Sequence, residues 1–237
     1  MAFFVKKMKK ICIIPARGGS KRIPRKNVKL FLGKPMLSYA IQNAIDSGIF
    51  DEIMVSTNDQ EIEAIAVNSG AKVPFLRTEA TSNDYATTAE VLKEVIEKYI
   101  EIGSKFEITC CLYPCTPLLT GDILKKGLEK LIESKADSLF SVQKFSFPPQ
   151  RGMKIENDNL IWSNPENAAA RSQDLETIYH DAGQFYFFRT EILKTQNQLL
   201  TNNTTALLLT EMQAQDIDTQ EDWDLAEFKY TYSKNEF

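Results

Sequence analysis

Residues Ile11–Asn27 read ICIIPARGGSKRIPRKN, and this stretch decides the fold class. Ile11–Ile14 is a short apolar run suited to a buried strand. It runs directly into a segment that contains two glycines, two prolines and five Lys or Arg. A buried strand that opens into a glycine-rich loop places that loop at the carboxyl edge of a sheet, where open α/β folds bind ligands. Gly18 and Gly19 suit a turn whose backbone N–H groups converge on an anion. Arg17, Lys21, Arg22, Arg25 and Lys26 surround it with positive charge, which is unfavourable unless a counter-anion such as a triphosphate is bound. The alternative is a solvated basic loop, which the adjoining buried strand disfavours.

Outward from this segment, β-branched runs alternate with amphipathic stretches, the signature of a parallel α/β sheet. The pattern predicts a loop over 15–34 and helices over Pro35–Ser47, Gln60–Asn68, Thr88–Tyr99, Gly121–Ser134 and Thr219–Lys229. It predicts strands over Glu52–Ser56, Val73–Phe75, Ile108–Leu112, Asp137–Gln143 and Gly183–Phe188, and another ending at 216–218. Thr219 is placed as an N-cap, with Asp222 at the third helical position. Residues 145–182 are rich in Pro, Gly and Asn and read as an inserted antiparallel arm, a lid or a dimerisation element. The expected architecture is thus one Rossmann-like, three-layer α/β domain over 1–237, its sheet mostly parallel, with the arm inserted.

Composition narrows the partners. The chain has 237 residues, is 43% hydrophobic and 25% charged, and carries a net charge of −4. Its longest apolar runs fall far short of the roughly 20 residues that span a bilayer, so no membrane partner is expected. Residues 1–34 hold eleven Lys or Arg and no acid, whereas the remainder holds 17 bases against 32 acids. A nucleic acid would be repelled by most of that surface, and a small polyanion fits better. The four cysteines, Cys12, Cys110, Cys111 and Cys115, read as reduced thiols of a cytoplasmic protein, and a lone His180 leaves zinc short of ligands. Residues 1–7 read as a loose leader ahead of a native start at Met8. Neither G-x-G-x-x-G nor G-x-x-x-x-G-K-[ST] occurs, so the dinucleotide fingerprint and the P-loop are both excluded.

A second constellation is Asp216-Ile217-Asp218. On a strand residues i and i+2 share a face, so both carboxylates project together while Ile217 turns to the core. Two such charges about 4 Å apart repel by roughly 4 kcal/mol at an effective dielectric near 20, and a divalent cation removes that cost. Oxygen ligands supplied by one or two carboxylates suit Mg²⁺ held jointly with substrate phosphates. A plain acidic strand end is the competing reading. His180 as a general base, or with Ser20 in a hydrolase, lacks the surrounding motif, and a binding or structural histidine is favoured.

The segments IIPARGGSKRIPRKN, LRTEATSNDYATT, YHDAGQFY and QDIDTQEDWDLAE, in this order from Ile11 to about Glu227, resemble the nonulosonate cytidylyltransferases, the CMP-sialic acid synthetase family. The resemblance implies transfer of CMP from CTP to the anomeric hydroxyl of a nine-carbon acid sugar, with release of pyrophosphate. It implies Mg²⁺ as cofactor and a homodimer in which one subunit's arm covers the other's site. It further implies that Ala16, Arg17, Gly18, Gly19, Ser20, Lys21, Lys26 and Asn27 hold the nucleotide and its phosphates. Arg17, Lys26 and Asp218 would act in catalysis, Arg77 and Thr88 would meet base and ribose, and Asp216 with Asp218 would hold the metal. Tyr113, Arg171, His180, Asp181 and Gln184 fall in the sugar pocket. There the sequence departs from the sialic acid enzymes: Tyr113 replaces a glutamine, and His180-Asp181-Ala182-Gly183 replaces an Arg-Ala-Asn-Gly pattern. These departures resemble the branch that activates pseudaminic acid, whose deoxy and N-acyl groups a tyrosine could meet. Legionaminate, N-acetylneuraminate and 3-deoxy-octulosonate are the alternative sugars.

Overall fold

A computed structural model describes residues 8–83, 85–195 and 198–235. The leader expected over 1–7 lies outside them. In chain order the elements are β1 (Lys10–Pro15), β2 (Leu30–Phe31), β3 (Lys34–Pro35), α1 (Met36–Ser47), β4 (Glu52–Ser56), α2 (Gln60–Asn68), α3 (Glu79–Ser82), α4 (Thr88–Glu101), β5 (Ile108–Leu112) and α5 (Gly121–Glu133). They continue as β6 (Ser138–Lys144), β7 (Met153–Glu156), β8 (Asn159–Trp162), β9 (Tyr179–Arg189), α6 (Ile192–Thr195), β10 (Thr204–Leu208) and α7 (Gln220–Asn235). Six strands form the central sheet in the order β10-β6-β9-β5-β1-β4. β1 runs parallel to β4 and β5, β10 runs parallel to β6, and β9 is antiparallel to both its neighbours.

Alternation along the strands builds the three layers. Ile11 and Ile13 of β1 face Leu92, Val95, Ile96 and Tyr99 of α4. Cys12 and Ile14 face the other way, onto α1, α2 and α5. Gly121 lets α5 approach α1 closely, since a Cβ there would meet the Ser47 backbone nitrogen at 2.6 Å. The helices begin where the sequence supplies caps. Asp59 accepts from the backbone N–H of Glu61 and Ile62, Thr87 and Glu90 form a capping box, and Thr120 caps α5.

Some expectations are corrected. Val73–Phe75 is not a strand; Lys72 alone bridges Met54 there. Residues 216–218 belong to no strand, and the last strand is β10, which the pattern does not predict. Strand β9 begins at Tyr179, so the arm spans 145–178, and its last four expected residues belong to the sheet. The arm itself is the β7–β8 hairpin, turned at Asn157 and Asp158 with positive φ of 49° and 61°, between short 3₁₀ turns. Among the described residues no helix is long and apolar enough to cross a membrane.

Candidate active site

Strands β1, β4 and β5 all end at one edge of the sheet, and antiparallel β9 starts there. The loop after β1, the Tyr113–Thr120 connection, His180–Gly183 and the 214–218 segment therefore meet at that edge. What brings the basic loop to the acidic segment is a small apolar cluster. Ile23 and Phe31 of the loop region pack with Ile217, Met36, Trp223 and Ala226, and Ile217 is 1% exposed. Phe31 also meets the rings of Tyr39, Trp223 and Tyr230 edge to face. With Ile217 turned inward as expected, the carboxylates on either side of it turn outward. Asp222 then fixes the backbone of Asp218: its Oδ2 accepts from the N–H of Asp218 at 3.1 Å and of Thr219 at 2.8 Å.

The resulting cavity, about 470 Å³, is lined by Arg17, Ser20, Lys21, Arg22, Lys26, Asn27 and Asp218 among others. Asp218 Oδ1 lies 2.7 Å from Arg22 Nη2 and 3.6 Å from Lys26 Nζ. Lys26 also donates to the Ile217 carbonyl. The positive loop and Asp218 thus share one cleft. Asp216 does not line that cleft; it opens on a separate cavity of about 420 Å³, with His180, Asp181, Lys144 and Lys229, which shares no lining residue with the first. Its carboxyl carbon lies 3.9 Å from where a Cβ on Gly183 would stand. Desolvation and the like charge of Asp218 push Asp216 above the usual carboxylate range, against the pull of Lys26 and Arg22. Asp216 is therefore uncomfortable as a carboxylate, and a cation would relieve it.

The loop does not work quite as the sequence suggested. Neither Gly18 nor Gly19 has a positive φ. Gly18 is needed for close approach: a Cβ there would collide with the Asp59 carboxylate and lie 3.0 Å from Arg25 Nη1. Gly19 has nothing within 4 Å of a built Cβ, so its surface is left free for a ligand. Arg25, counted above among the charges around the anion, instead grips Asp59 and Glu61 across the cap of α2. Its charge is spent on anchoring the loop.

A third cavity of about 430 Å³ adjoins the first through Pro15, Arg17 and Arg22, and adds Arg77, Thr88 and Tyr113. Arg77 is buried, with Nε 3.1 Å from Ser56 Oγ and Nη2 2.7 Å from the Ser56 carbonyl. Burial lowers its pKa to about 10, so it stays cationic at neutral pH. Among the described residues no carboxylate forms an ion pair with it. Glu94 attracts this charge and Arg17 repels it, but its hydrogen bonds go to the neutral Ser56, and an anionic or strongly accepting ligand would offset the cost of burial.

The sugar-pocket residues divide. Tyr113, raised in pKa by burial, shares a 3.1 Å hydrogen bond with Thr88 and meets Tyr186 edge to face. The Tyr186 hydroxyl donates to Asp181 at 2.6 Å. His180 packs its ring on Phe145, centroids 4.8 Å apart. Gln184, however, is 1% exposed and lines none of these cavities; its Nε2 donates to the carbonyls of Ala182 and Gln215. It supports the Asp216 segment from beneath, and its Oε1 has no partner among the described residues. Arg171 is exposed on the arm, pairs with Asp174 at 2.6 Å, and lines none of the three cavities. Asp59, Cys115 and Ser56 escaped the sequence reading because each acts on another site residue rather than facing the cleft in a recognisable pattern.

A Rossmann-like sheet with a basic loop, a buried arginine and an acidic pair at one edge is the arrangement of a nucleotidyltransferase. The chain belongs to the cytidylyltransferase family, whose profile matches residues 11–232. It is 42% identical to the pseudaminic acid cytidylyltransferase of Campylobacter jejuni, over 94% of this chain and 97% of that protein. It is 32% identical to the CMP-N,N'-diacetyllegionaminic acid synthase of Legionella pneumophila, over 93% and 95% of the two chains. In structure it is similar to a CMP:2-keto-3-deoxy-manno-octonic acid synthetase complexed with CTP, with a TM-score of 0.68, 19% identity, and 96% and 99% of the chains covered.

Proposed function

We propose that the protein transfers CMP from CTP to the anomeric hydroxyl of pseudaminic acid, releasing pyrophosphate. One observation carries the reading: Asp218 lines the same cavity as Arg17, Ser20, Lys21 and Lys26, so one ligand can touch both charge types. The relatives' names supply the sugar, since the pseudaminic acid enzyme is similar at 42% identity and the legionaminic acid enzyme at 32%. CTP lies with its triphosphate over Gly18–Gly19 and its base toward Arg77 and Thr88. The anomeric oxygen forms its bond to the α-phosphorus while the bond from that phosphorus to the bridging oxygen breaks. Pyrophosphate leaves, and the hydroxyl proton passes to solvent. Such a step asks the protein mainly for positioning and charge neutralisation. Arg17 and Lys26 neutralise the charge that builds on the α-phosphate and the leaving group.

Asp216 and Asp218 suit Mg²⁺ as oxygen ligands. Among the described residues there is no cluster of three His, Cys, Asp or Glu that could cage a metal, so nucleotide phosphates would share the coordination. When bound, Mg²⁺ would screen phosphate charge and acidify an attacking hydroxyl. The protein is further read as a cytoplasmic homodimer. A two-stranded hairpin is marginal on its own, and β7–β8 leaves Met153, Ile155 and Leu160 exposed for a second copy to cover.

The test is pyrophosphate release from CTP against a panel of nonulosonic acids, with and without Mg²⁺. Pseudaminic acid should be preferred at least tenfold. Equal turnover of N-acetylneuraminate would overturn the sugar assignment, and full activity without a divalent ion would overturn the metal. Asp218→Asn should lose most turnover with an unchanged unfolding midpoint.

A further inference from the structure

The loop after β1 has no helix of its own to hold it, yet its shape decides where the phosphates sit. Arg25 ties it to α2, and Ile23 ties it to the apolar cluster. A third tie runs through Asn27, a side chain only 5% exposed. Its Nδ2 donates to the Arg17 carbonyl at 2.9 Å, and its own carbonyl accepts from the Leu37 N–H at 2.9 Å. Its Oδ1 accepts from the Cys115 thiol, Sγ to Oδ1 3.3 Å. This fixes the amide's orientation from both ends, because the Arg17 carbonyl can only accept and the thiol here donates. Cys115 follows β5, so the bond ties the loop to the next βα connection. The Cys115 side chain also packs against the cluster of Ile23, Phe31 and Ile217. Burial pushes the thiol up to about 12, with Lys26 pulling it down and Asp216 and Asp218 raising it, so it keeps its proton at neutral pH.

We infer that Cys115 is a positioning residue for the nucleotide: its S–H holds Asn27, and Asn27 holds the Arg17 turn in the shape that receives the triphosphate. Cys115 serves both needs of its place, an apolar body against the cluster and a weak donor toward Asn27. This rests on the reading of the loop cavity as the CTP site.

The experiment compares two substitutions of nearly equal shape. Cys115→Thr keeps a donor and an apolar methyl; Cys115→Val keeps the shape and loses the donor. CTP binding is measured calorimetrically in the presence of Mg²⁺, and thermal midpoints are recorded for both variants. Cys115→Thr should bind CTP within about twofold of the parent, while Cys115→Val should bind five- to tenfold more weakly, the size of one lost hydrogen bond. In turnover assays the Val variant should raise KM for CTP with kcat within about twofold. Equal CTP affinity in the two variants would overturn the inference, since packing alone would then account for Cys115. A loss confined to kcat or to the sugar's KM would overturn it as well. Failure of the parent protein to bind CTP would instead overturn the reading of the site, so the two failures are distinguishable.

Discussion

Ile217→Ala perturbs the contact that brings the two halves of the site together. Ile217 is 1% exposed, between carboxylates that face solvent, and packs on Ile23, Phe31 and Trp223. Three carbons are lost, and at about 0.8 kcal/mol per buried methylene the transfer cost alone is about 2.4 kcal/mol. The cavity left behind adds to this, but the cluster is small and peripheral and can partly collapse. A total of about 2.5–3.5 kcal/mol is expected, within the range for such truncations. A domain stable by about 5–15 kcal/mol remains folded after that loss. Urea unfolding followed by tryptophan fluorescence reads the change, and Trp223 reports from inside the cluster. CTP affinity should fall at least tenfold, because the loop and the acidic segment are no longer held in register. A full stability loss with CTP affinity unchanged would refute the role of the cluster in assembling the cleft. A loss below about 1 kcal/mol would refute the packing itself.

Other expectations follow from the same geometry. Gly19→Ala should leave the unfolding midpoint unchanged, since nothing lies within 4 Å of the added methyl, yet raise KM for CTP. Gly18→Ala should lower both affinity and midpoint, because the methyl strikes the Arg25–Asp59 pair. Burial alone would raise Glu94, but bonds from Lys98, Thr81 and Thr78 overcome it and hold the carboxyl at about 2. A depressed acid stabilises the fold above its unfolded pKa near 4.5 and loses that contribution as pH falls toward 2. Glu94→Gln should therefore lower stability at pH 7 and flatten its decline between about pH 4.5 and 2, measured by denaturant titration at each pH.

Much of this was legible in the chain. Strand β1 and the segment after it carry the fold class in a local pattern, an apolar run that breaks into glycine and charge, and no distant residue is needed to see it. The inward turn of Ile217 agrees with the alternation expected of a strand, although no strand forms there and Asp216 and Asp218 open on different cavities. Thr219 and Asp222 were readable as a cap, but not that the same Asp222 oxygen would fix the Asp218 backbone. Arg25 was misread because a cation's partner is set by tertiary contact: Asp59 is 34 positions away and looks in sequence only like a helix cap. Gln184 was misplaced because the resemblance gives a position in a motif, not the burial of a side chain. Val73 and Phe75 favour a strand, but Pro74 between them has no N–H to give a ladder, and the one bridge falls just before them at Lys72. Cys115 offered no signal, since its role exists only once Asn27 stands beside it.

The central claim is that the Gly18–Gly19 loop and the Asp216–Asp218 segment hold one metal–nucleotide complex between them. A crystal structure with CTP and Mn²⁺, the metal located by its anomalous scattering, tests it most directly. The account predicts the triphosphate over Gly18 and Gly19 and a metal peak about 2.1 Å from a carboxylate oxygen of Asp218 and from a phosphate oxygen. A nucleotide bound away from the loop, or a metal that touches phosphate but neither carboxylate, would contradict it.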